Sequence, residues 1–132
     1  GWPTSSYGEN YGYKNAKTST GYHPEKDFYF KKDHYSLGYE EPLLAFTKSI
    51  GISEIIKTPD SFDYKWKDSY LATSLNGHAI IRFNLNTKFD KIQSIEIIKI
   101  GERIRDIKFY NNKIYTILEN SASLGVYSII LD

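Results

Sequence analysis

Two arginines, Arg103 and Arg105, lie one residue apart in the stretch GERIRDIKF, where a β-strand is predicted to begin. Successive side chains of a strand point to opposite faces, so the spacing predicts one face shared by both arginines, Ile107 and Phe109. A guanidinium binds a carboxylate through paired hydrogen bonds and stays charged at any working pH. Two such groups side by side are typical of a site that receives an anion.

Ion pairing within the fold is the alternative role for this arginine pair. Glu102 and Asp106 lie next to the arginines in the sequence, and an adjacent strand could supply a further carboxylate. Taken by itself, an Arg-X-Arg pattern in a β protein is more typical of such ion pairs than of a binding site. Other features of the sequence must therefore decide between the two roles.

The remaining titratable side chains form no pattern that predicts catalysis or metal binding. His23, His34 and His78 lack the short paired spacing of common zinc motifs. Glu40 and Glu41 are adjacent, so in an extended chain their carboxylates point to opposite sides and make a poor acid–base pair. The chain contains no cysteine, which excludes disulfides, thiolate catalysis and thiolate metal sites.

The composition is that of a globular protein with a preference for β structure. The 132 residues suffice for one modest domain with one core. Aromatic residues make up 16% of the chain and include 12 tyrosines, a residue type that favours the half-buried surface of a sheet. The formal net charge of +1 argues against a nucleic-acid partner, which needs a clear basic excess. No apolar run approaches the roughly 18 residues of a membrane-spanning helix.

The chain changes character near Pro42. Residues 1–42 are rich in Gly, Ser, Thr, Asn, Tyr and Lys, and their turn signals predict a long loop segment. Residues 43–132 alternate short apolar runs with turns, which predicts an antiparallel all-β protein. The predicted strands are Leu43–Thr47, Ser53–Lys57, Ser69–Ser74, Ala79–Leu85, Ser94–Ile100, Ile104–Phe109, Ile114–Leu118 and Val126–Leu131. The turn Asn111-Asn112 is predicted to close a hairpin, because both residues tolerate positive φ.

Four successive antiparallel strands are the unit of a β-propeller blade, and about two such units fit into this chain. A pair of blades has open edges and cannot close a ring. The chain also lacks Met and begins with Gly1-Trp2-Pro3, so we expect it to be an excerpt of a longer protein. The expected fold is a partial propeller of about two blades with a long N-terminal loop segment.

Three stretches of the chain together resemble one protein family. They are GWPTSSYGENY, WKDSYLATSLNGHAIIRFNL, and GERIRDIKF followed by KIYTILEN. In this order and at about this spacing they resemble the soluble aldose sugar dehydrogenases, also called glucose/sorbosone dehydrogenases. The resemblance covers most of the chain and corresponds to roughly the C-terminal third of a family member. Each match alone is weak, and the ordered set that includes RIRD is fairly specific.

The resemblance implies a six-bladed β-propeller that holds pyrroloquinoline quinone and calcium, in the periplasm of a bacterium or secreted from it. It implies oxidation of the anomeric carbon of an aldose, with electrons passed to an acceptor that the sequence does not identify. The family's catalytic histidine and most calcium ligands match segments outside this chain. We therefore expect the chain to supply part of a cofactor pocket and to be inactive alone. A non-catalytic propeller module that binds a sugar or a protein partner is the alternative.

The family's cofactor pocket matches this sequence at seven positions. They are Tyr11, Ser74, Leu75, Asn76, Arg103, Ile104 and Arg105. Asn76 stands where family members often have lysine, so one positive contact with the cofactor is missing. Arginine suits a planar cofactor with three carboxylates, and the resemblance implies that one arginine holds a carboxylate while the other positions the quinone. It assigns no catalytic residue and no metal ligand to this chain.

Overall fold

The computed structural model describes residues 5–7, 33–46 and 48–130. These residues fall into two units, Gly1–Ser49 and Ile50–Asp132. Most of the predicted loop segment, residues 1–42, lies outside the described part of the chain.

The first unit contains one turn of 3-10 helix among its described residues, formed by Tyr35–Leu37. The turn ends at Gly38, whose φ is 75°. Glycine has no Cβ and takes this left-handed conformation at little steric cost, so Gly38 allows the chain to leave the turn.

The second unit contains two antiparallel sheets among its described residues. The first sheet has the order β1 (Ile52–Lys57), β2 (Ser69–Ser74), β3 (Ala79–Leu85) and β4 (Ile92–Lys99). The second has the order β5 (Ile104–Tyr110), β6 (Lys113–Leu118) and β7 (Ser123–Tyr127). Each strand pairs with its neighbours in the sequence, so each sheet is a meander, as predicted.

The hairpin between β5 and β6 shows how turn residues fix the register. Tyr110 pairs with Lys113, which leaves Asn111 and Asn112 as a two-residue turn. Their φ angles are 45° and 56°. A tight turn with two positive φ angles matches the natural twist of the strands, and asparagine tolerates this conformation. The predicted hairpin is therefore confirmed.

The two sheets share one hydrophobic core. Leu71 of β2 and Ile104 and Ile107 of β5 are fully buried in it. Burial of each such side chain stabilises the fold by about 1.5–3 kcal/mol relative to exposure. Ser53 of β1 also links the sheets, because its hydroxyl donates to the carbonyl oxygen of Ile104 at 2.6 Å and hydrogen-bonds the Thr73 hydroxyl at 2.8 Å. The first residue of β5 is thus held firmly against the first sheet.

The predicted all-β fold class is confirmed, and the strand boundaries differ in informative places. The predictions Ser69–Ser74 and Ala79–Leu85 match β2 and β3 residue for residue, and four others match β1, β4, β5 and β6 to within two residues at each end. The prediction Val126–Leu131 is displaced, since β7 is Ser123–Tyr127. The predicted strand Leu43–Thr47 is wrong over residues 43–46, which form no strand and in which both leucines are exposed.

Candidate anion-binding site

Two of the sequence motifs meet at one end of the second unit. The first is the turn after Ser74, which joins β2 to β3, and the second is the beginning of β5. Arg103 donates a hydrogen bond from Nη1 to the side-chain oxygen of Asn76 at 2.9 Å. The fold therefore brings together residues that are 27 positions apart and that the family resemblance implies for one pocket.

The turn that carries Asn76 is built on the Ser74 hydroxyl. This hydroxyl is fully buried, donates to the carbonyl oxygen of Ile50 at 2.6 Å, and accepts from the backbone N–H of Gly77 at 2.6 Å. The backbone N–H groups of Leu75 and Asn76 donate to the carbonyls of Gly51 and Ile50, each at 2.8 Å. Ser74 thus shapes the turn from inside, while the Asn76 side chain is exposed at its tip.

The two arginines converge on one carboxylate, that of Glu119. The Nε atom of Arg103 lies 3.0 Å from Oε2 of Glu119, and the Nε atom of Arg105 lies 2.8 Å from the same oxygen. The side chains of Arg103 and Glu119 are about one-third exposed and that of Arg105 is about half exposed. Two positive charges and one negative charge leave this group with a net charge of +1 at the surface.

A β-bulge at Arg105 overturns the prediction that Arg103, Arg105, Ile107 and Phe109 share one face. Ile104 pairs with Leu118 and Asp106 pairs with Ile117, so β5 has one residue more than β6 at this point. The extra residue changes the phase of the strand, and both Ile104 and Ile107 are fully buried as a result. Strict alternation would place only one of these isoleucines inside. Because of the bulge, both isoleucines pack in the core and Arg105 lies at the surface.

Glu119 is the residue that the sequence analysis did not identify. It follows β6 directly, and its backbone N–H donates to the carbonyl of Arg103 at 2.9 Å, so it lies opposite Arg103 across the ladder. Hydrogen bonds from Arg103 and then Arg105 lower the pKa of Glu119 below its usual range, against the opposing effect of partial burial. Glu119 is the adjacent-strand carboxylate that the ion-pair alternative expected. Its position follows from the pairing of Ile104 with Leu118, a signal that sequence alone does not supply.

The other acids near the arginines have different partners. Glu102 accepts hydrogen bonds from the backbone N–H and the hydroxyl of Ser121, at 3.0 and 2.8 Å. Asp106 accepts from the backbone N–H of Ile107 at 2.7 Å. The ion pairs with Glu102 and Asp106 that the sequence left open are thus replaced by the shared contact with Glu119.

The remaining predicted pocket residues are Leu75, Ile104 and Tyr11. Leu75 is half-buried, and Ile104, fully buried, anchors the start of β5 in the core. Tyr11 lies outside the described residues. Within the described ranges there is no group of three or more histidine or acidic side chains that could hold a metal ion, and calcium stays an expectation of the family resemblance.

A second polar cluster lies within the first unit, around Glu41. Its carboxylate accepts from the Tyr7 hydroxyl at 2.7 Å and from the backbone N–H groups of His34 and Tyr35 at 2.8 Å each. The hydrogen bond from Tyr7 lowers the pKa of Glu41 and raises that of Tyr7. The buried ring of His34 stacks on Tyr7, with 4.9 Å between ring centroids. These contacts hold Tyr7 to the loop that follows residue 33.

Comparison with known proteins decides which family this site belongs to. The sequence model of the family described as Glucose / Sorbosone dehydrogenase matches residues 4–126, which is nearly the whole chain. The chain belongs to the glucose/sorbosone dehydrogenase family. No curated protein sequence matches this chain.

Solved structures agree with this assignment. A crystal structure of a glucose dehydrogenase has a TM-score of 0.67 and 25% identity, over 96% of this chain and 33% of that one. The apo-form of the soluble aldose sugar dehydrogenase from Escherichia coli has a TM-score of 0.68 and 22% identity, over 98% of this chain and 35% of that one. At this identity the match is evidence for the fold alone. Another glucose dehydrogenase has a TM-score of 0.60 and 26% identity, over 71% of this chain and 28% of that one.

The chain spans about a third of the length of the solved structures it matches. Its two open meanders fit part of a β-propeller, as the sequence predicted. Within residues 5–7, 33–46 and 48–130, no helix is long and apolar enough to span a membrane.

Proposed function

We propose that this chain forms part of the cofactor pocket of a quinone-dependent dehydrogenase that oxidises the anomeric carbon of aldoses. The single observation that carries the proposal is the contact between Arg103 and Asn76. It joins the two family motifs at one end of the second unit, in a group with a net positive charge. Family membership supports the reaction class, and the net positive charge of the cluster supports an anionic cofactor.

The donor chemistry of this cluster fits pyrroloquinoline quinone, a planar ring with three carboxylates. Both arginines approach Glu119 through Nε, and each guanidinium carries further N–H donors on its two Nη atoms. The side chain of Arg105 is about half exposed, and a guanidinium can bind a carboxylate through two parallel hydrogen bonds. Arg103 and Arg105 would hold the cofactor, and Asn76 would add an uncharged contact.

The quinone, when bound, supplies the group that accepts a hydride from the sugar. The residues of this chain bind and orient, and they hold a fixed positive field beside the ring, because arginine does not lose its proton at working pH. The general base and most of the calcium ligands are expected, on the family resemblance, in segments outside this chain. A periplasmic or secreted location is proposed on the family resemblance alone, and the electron acceptor is left open.

A non-catalytic module that binds a sugar or a protein partner is the second candidate function. One specific feature favours it, the asparagine at position 76 where the family often has lysine. A neutral side chain there weakens the attraction for a polyanionic cofactor. Affinity for the quinone therefore separates the two candidates.

The test is a titration of the protein with pyrroloquinoline quinone, followed by the absorbance of the quinone with and without calcium. Saturable binding supports the proposal. The double variant Arg103→Ala with Arg105→Ala is expected to weaken it by about 1.5–3 kcal/mol per charged contact, which is roughly 10- to 150-fold for each.

A matched control removes the same charge from the same hairpin. Lys108 and Lys113 are exposed and lie at the Tyr110 end of the β5–β6 hairpin, away from Glu119. Lys108→Ala with Lys113→Ala should leave the affinity within about threefold of the original, because exposed distant charges are screened by salt. Equal losses in both double variants, or no saturable binding at all, would remove the cofactor role.

A further inference from the structure

We infer that Glu119 is a positioning residue, which orients the guanidiniums of Arg103 and Arg105 towards one anionic ligand. This inference rests on the proposed function, because the ligand it concerns is the carboxylate-bearing quinone. Glu119 is not placed in contact with the ligand. It acts through the two arginines, whose direction it sets.

The first support is that both arginines use the same atom of Glu119. Oε2 accepts a hydrogen bond from Nε of Arg103 at 3.0 Å and lies 2.8 Å from Nε of Arg105 in an ion pair. Two guanidiniums repel each other, and a carboxylate shared between them offsets that repulsion. Without Glu119 the two side chains would have no common acceptor in this cluster and would move apart.

The second support is the choice of Nε in both contacts. A guanidinium is planar and carries five N–H donors in fixed directions, so fixing Nε fixes the direction of the terminal Nη groups. Asn76 accepts from Nη1 of Arg103, which fixes that guanidinium at a second point. The Arg103 guanidinium is therefore held at two points, Nε and Nη1.

The third support is that Glu119 itself is held in place by the backbone. Its N–H donates to the carbonyl of Arg103 at 2.9 Å, and its carbonyl accepts from the N–H of Ala122 at 3.2 Å. It follows Leu118, which is buried in the core. The hydrogen bond from Arg103, with a smaller effect of Arg105, lowers the pKa of Glu119 and so favours its charged form.

A positioning role and a simple charge effect predict opposite results. A negative charge close to an anion site repels the anion, so its removal should tighten binding if Coulomb repulsion were all that Glu119 contributed. If Glu119 orients the arginines, its removal should weaken binding, because the ligand must then order two long side chains by itself. The sign of the change therefore decides the role.

The experiment compares Glu119→Ala with Glu119→Gln in the full-length protein that contains this chain, with pyrroloquinoline quinone as the probe. We expect Glu119→Ala to weaken quinone binding about tenfold or more, from the cost of ordering two flexible side chains. Glutamine keeps a carbonyl acceptor for the Nε–H groups, so Glu119→Gln should stay within about threefold of the original protein. Binding that is unchanged or tighter in Glu119→Ala overturns the inference.

Glu102→Ala is the matched control for charge. Glu102 lies next to Arg103 in the sequence, but its carboxylate binds Ser121. This variant removes one negative charge near the site without touching the arginine contacts, and it should leave affinity unchanged or slightly higher. A loss in Glu102→Ala as large as in Glu119→Ala would contradict a role specific to Glu119.

A second readout separates this inference from the proposed function. Nitrogen-15 NMR of the ligand-free protein should show protected Nε–H signals for Arg103 and Arg105, present in Glu119→Gln and lost in Glu119→Ala. A protein with these signals that does not bind the quinone refutes the proposed function and leaves the orientation confirmed. Signals that are the same in the original protein and in Glu119→Ala refute the orientation, whatever the quinone does.

Discussion

Replacement of Gly77 by alanine should disturb the turn that carries Asn76. A Cβ added at Gly77 would lie 2.4 Å from the Ser74 hydroxyl oxygen and 3.2 Å from the Ser74 Cβ. The first distance is too short for any contact, so the hydroxyl must move. It then loses its hydrogen bonds to the carbonyl of Ile50 and to the N–H of residue 77, both now 2.6 Å long.

The size of the effect follows from these two bonds. Each buried hydrogen bond contributes about 0.5–1.5 kcal/mol, and a buried group left without a partner costs about 1–3 kcal/mol. Alanine offsets about 0.4–1 kcal/mol of this by restricting the unfolded chain. The expected net loss for Gly77→Ala is about 0.5–2.5 kcal/mol of the free energy of unfolding.

The assay is urea unfolding of Gly77→Ala, Ser74→Ala and the double variant. Ser74→Ala removes the hydroxyl that the new Cβ would strike, so Gly77→Ala should cost almost nothing in that background. The coupling energy should then be about 0.5–2.5 kcal/mol. Losses that add to within about 0.5 kcal/mol would refute the reasoning, because they would show that the Ser74 hydroxyl is not what Gly77 makes room for.

Two further predictions concern the hydrophobic core and the ion pair between Glu119 and the two arginines. Ile107→Ala should lower the free energy of unfolding by about 2–5 kcal/mol, while Ile117→Ala, on the half-exposed face of β6, should cost less than about 1 kcal/mol; similar losses would contradict the assigned core. The pKa of Glu119 is lowered by Arg103 and Arg105, so the stabilisation is present above its unfolded pKa and is lost as pH falls through the folded one. The midpoint of the Glu119 carboxylate titration, followed by NMR, should move to higher pH in the variant Arg103→Ala with Arg105→Ala. An unchanged midpoint would contradict the shared contact.

The strands that sequence predicts best are those bounded by clear turn signals. Ser69–Ser74 and Ala79–Leu85 are apolar runs separated by Asn76-Gly77, and both match the structure at each end. The last strand, β7, differs from the predicted Val126–Leu131 because its limits depend on its pairing with β6. Gly125 lies opposite Thr116, where an added Cβ would come within 2.5 Å of the threonine hydroxyl, so the pairing with β6 selects Ser123–Tyr127.

The candidate site divides in the same way. Residue types predict the arginine pair, and the family motifs add Asn76, because these signals are local in the sequence. The bulge at Arg105 and the contact with Glu119 are not local. Both depend on which isoleucines are buried in the core and on how β5 pairs with β6. The alternation of side chains along a single strand predicts neither of them.

The most direct test of the central claim is a crystal structure of the protein with bound pyrroloquinoline quinone. The account predicts a quinone carboxylate within hydrogen-bond distance of the terminal Nη groups of Arg103 or Arg105, with Glu119 still bound to their Nε atoms. A quinone bound elsewhere, with neither arginine in contact with a quinone oxygen, would contradict it.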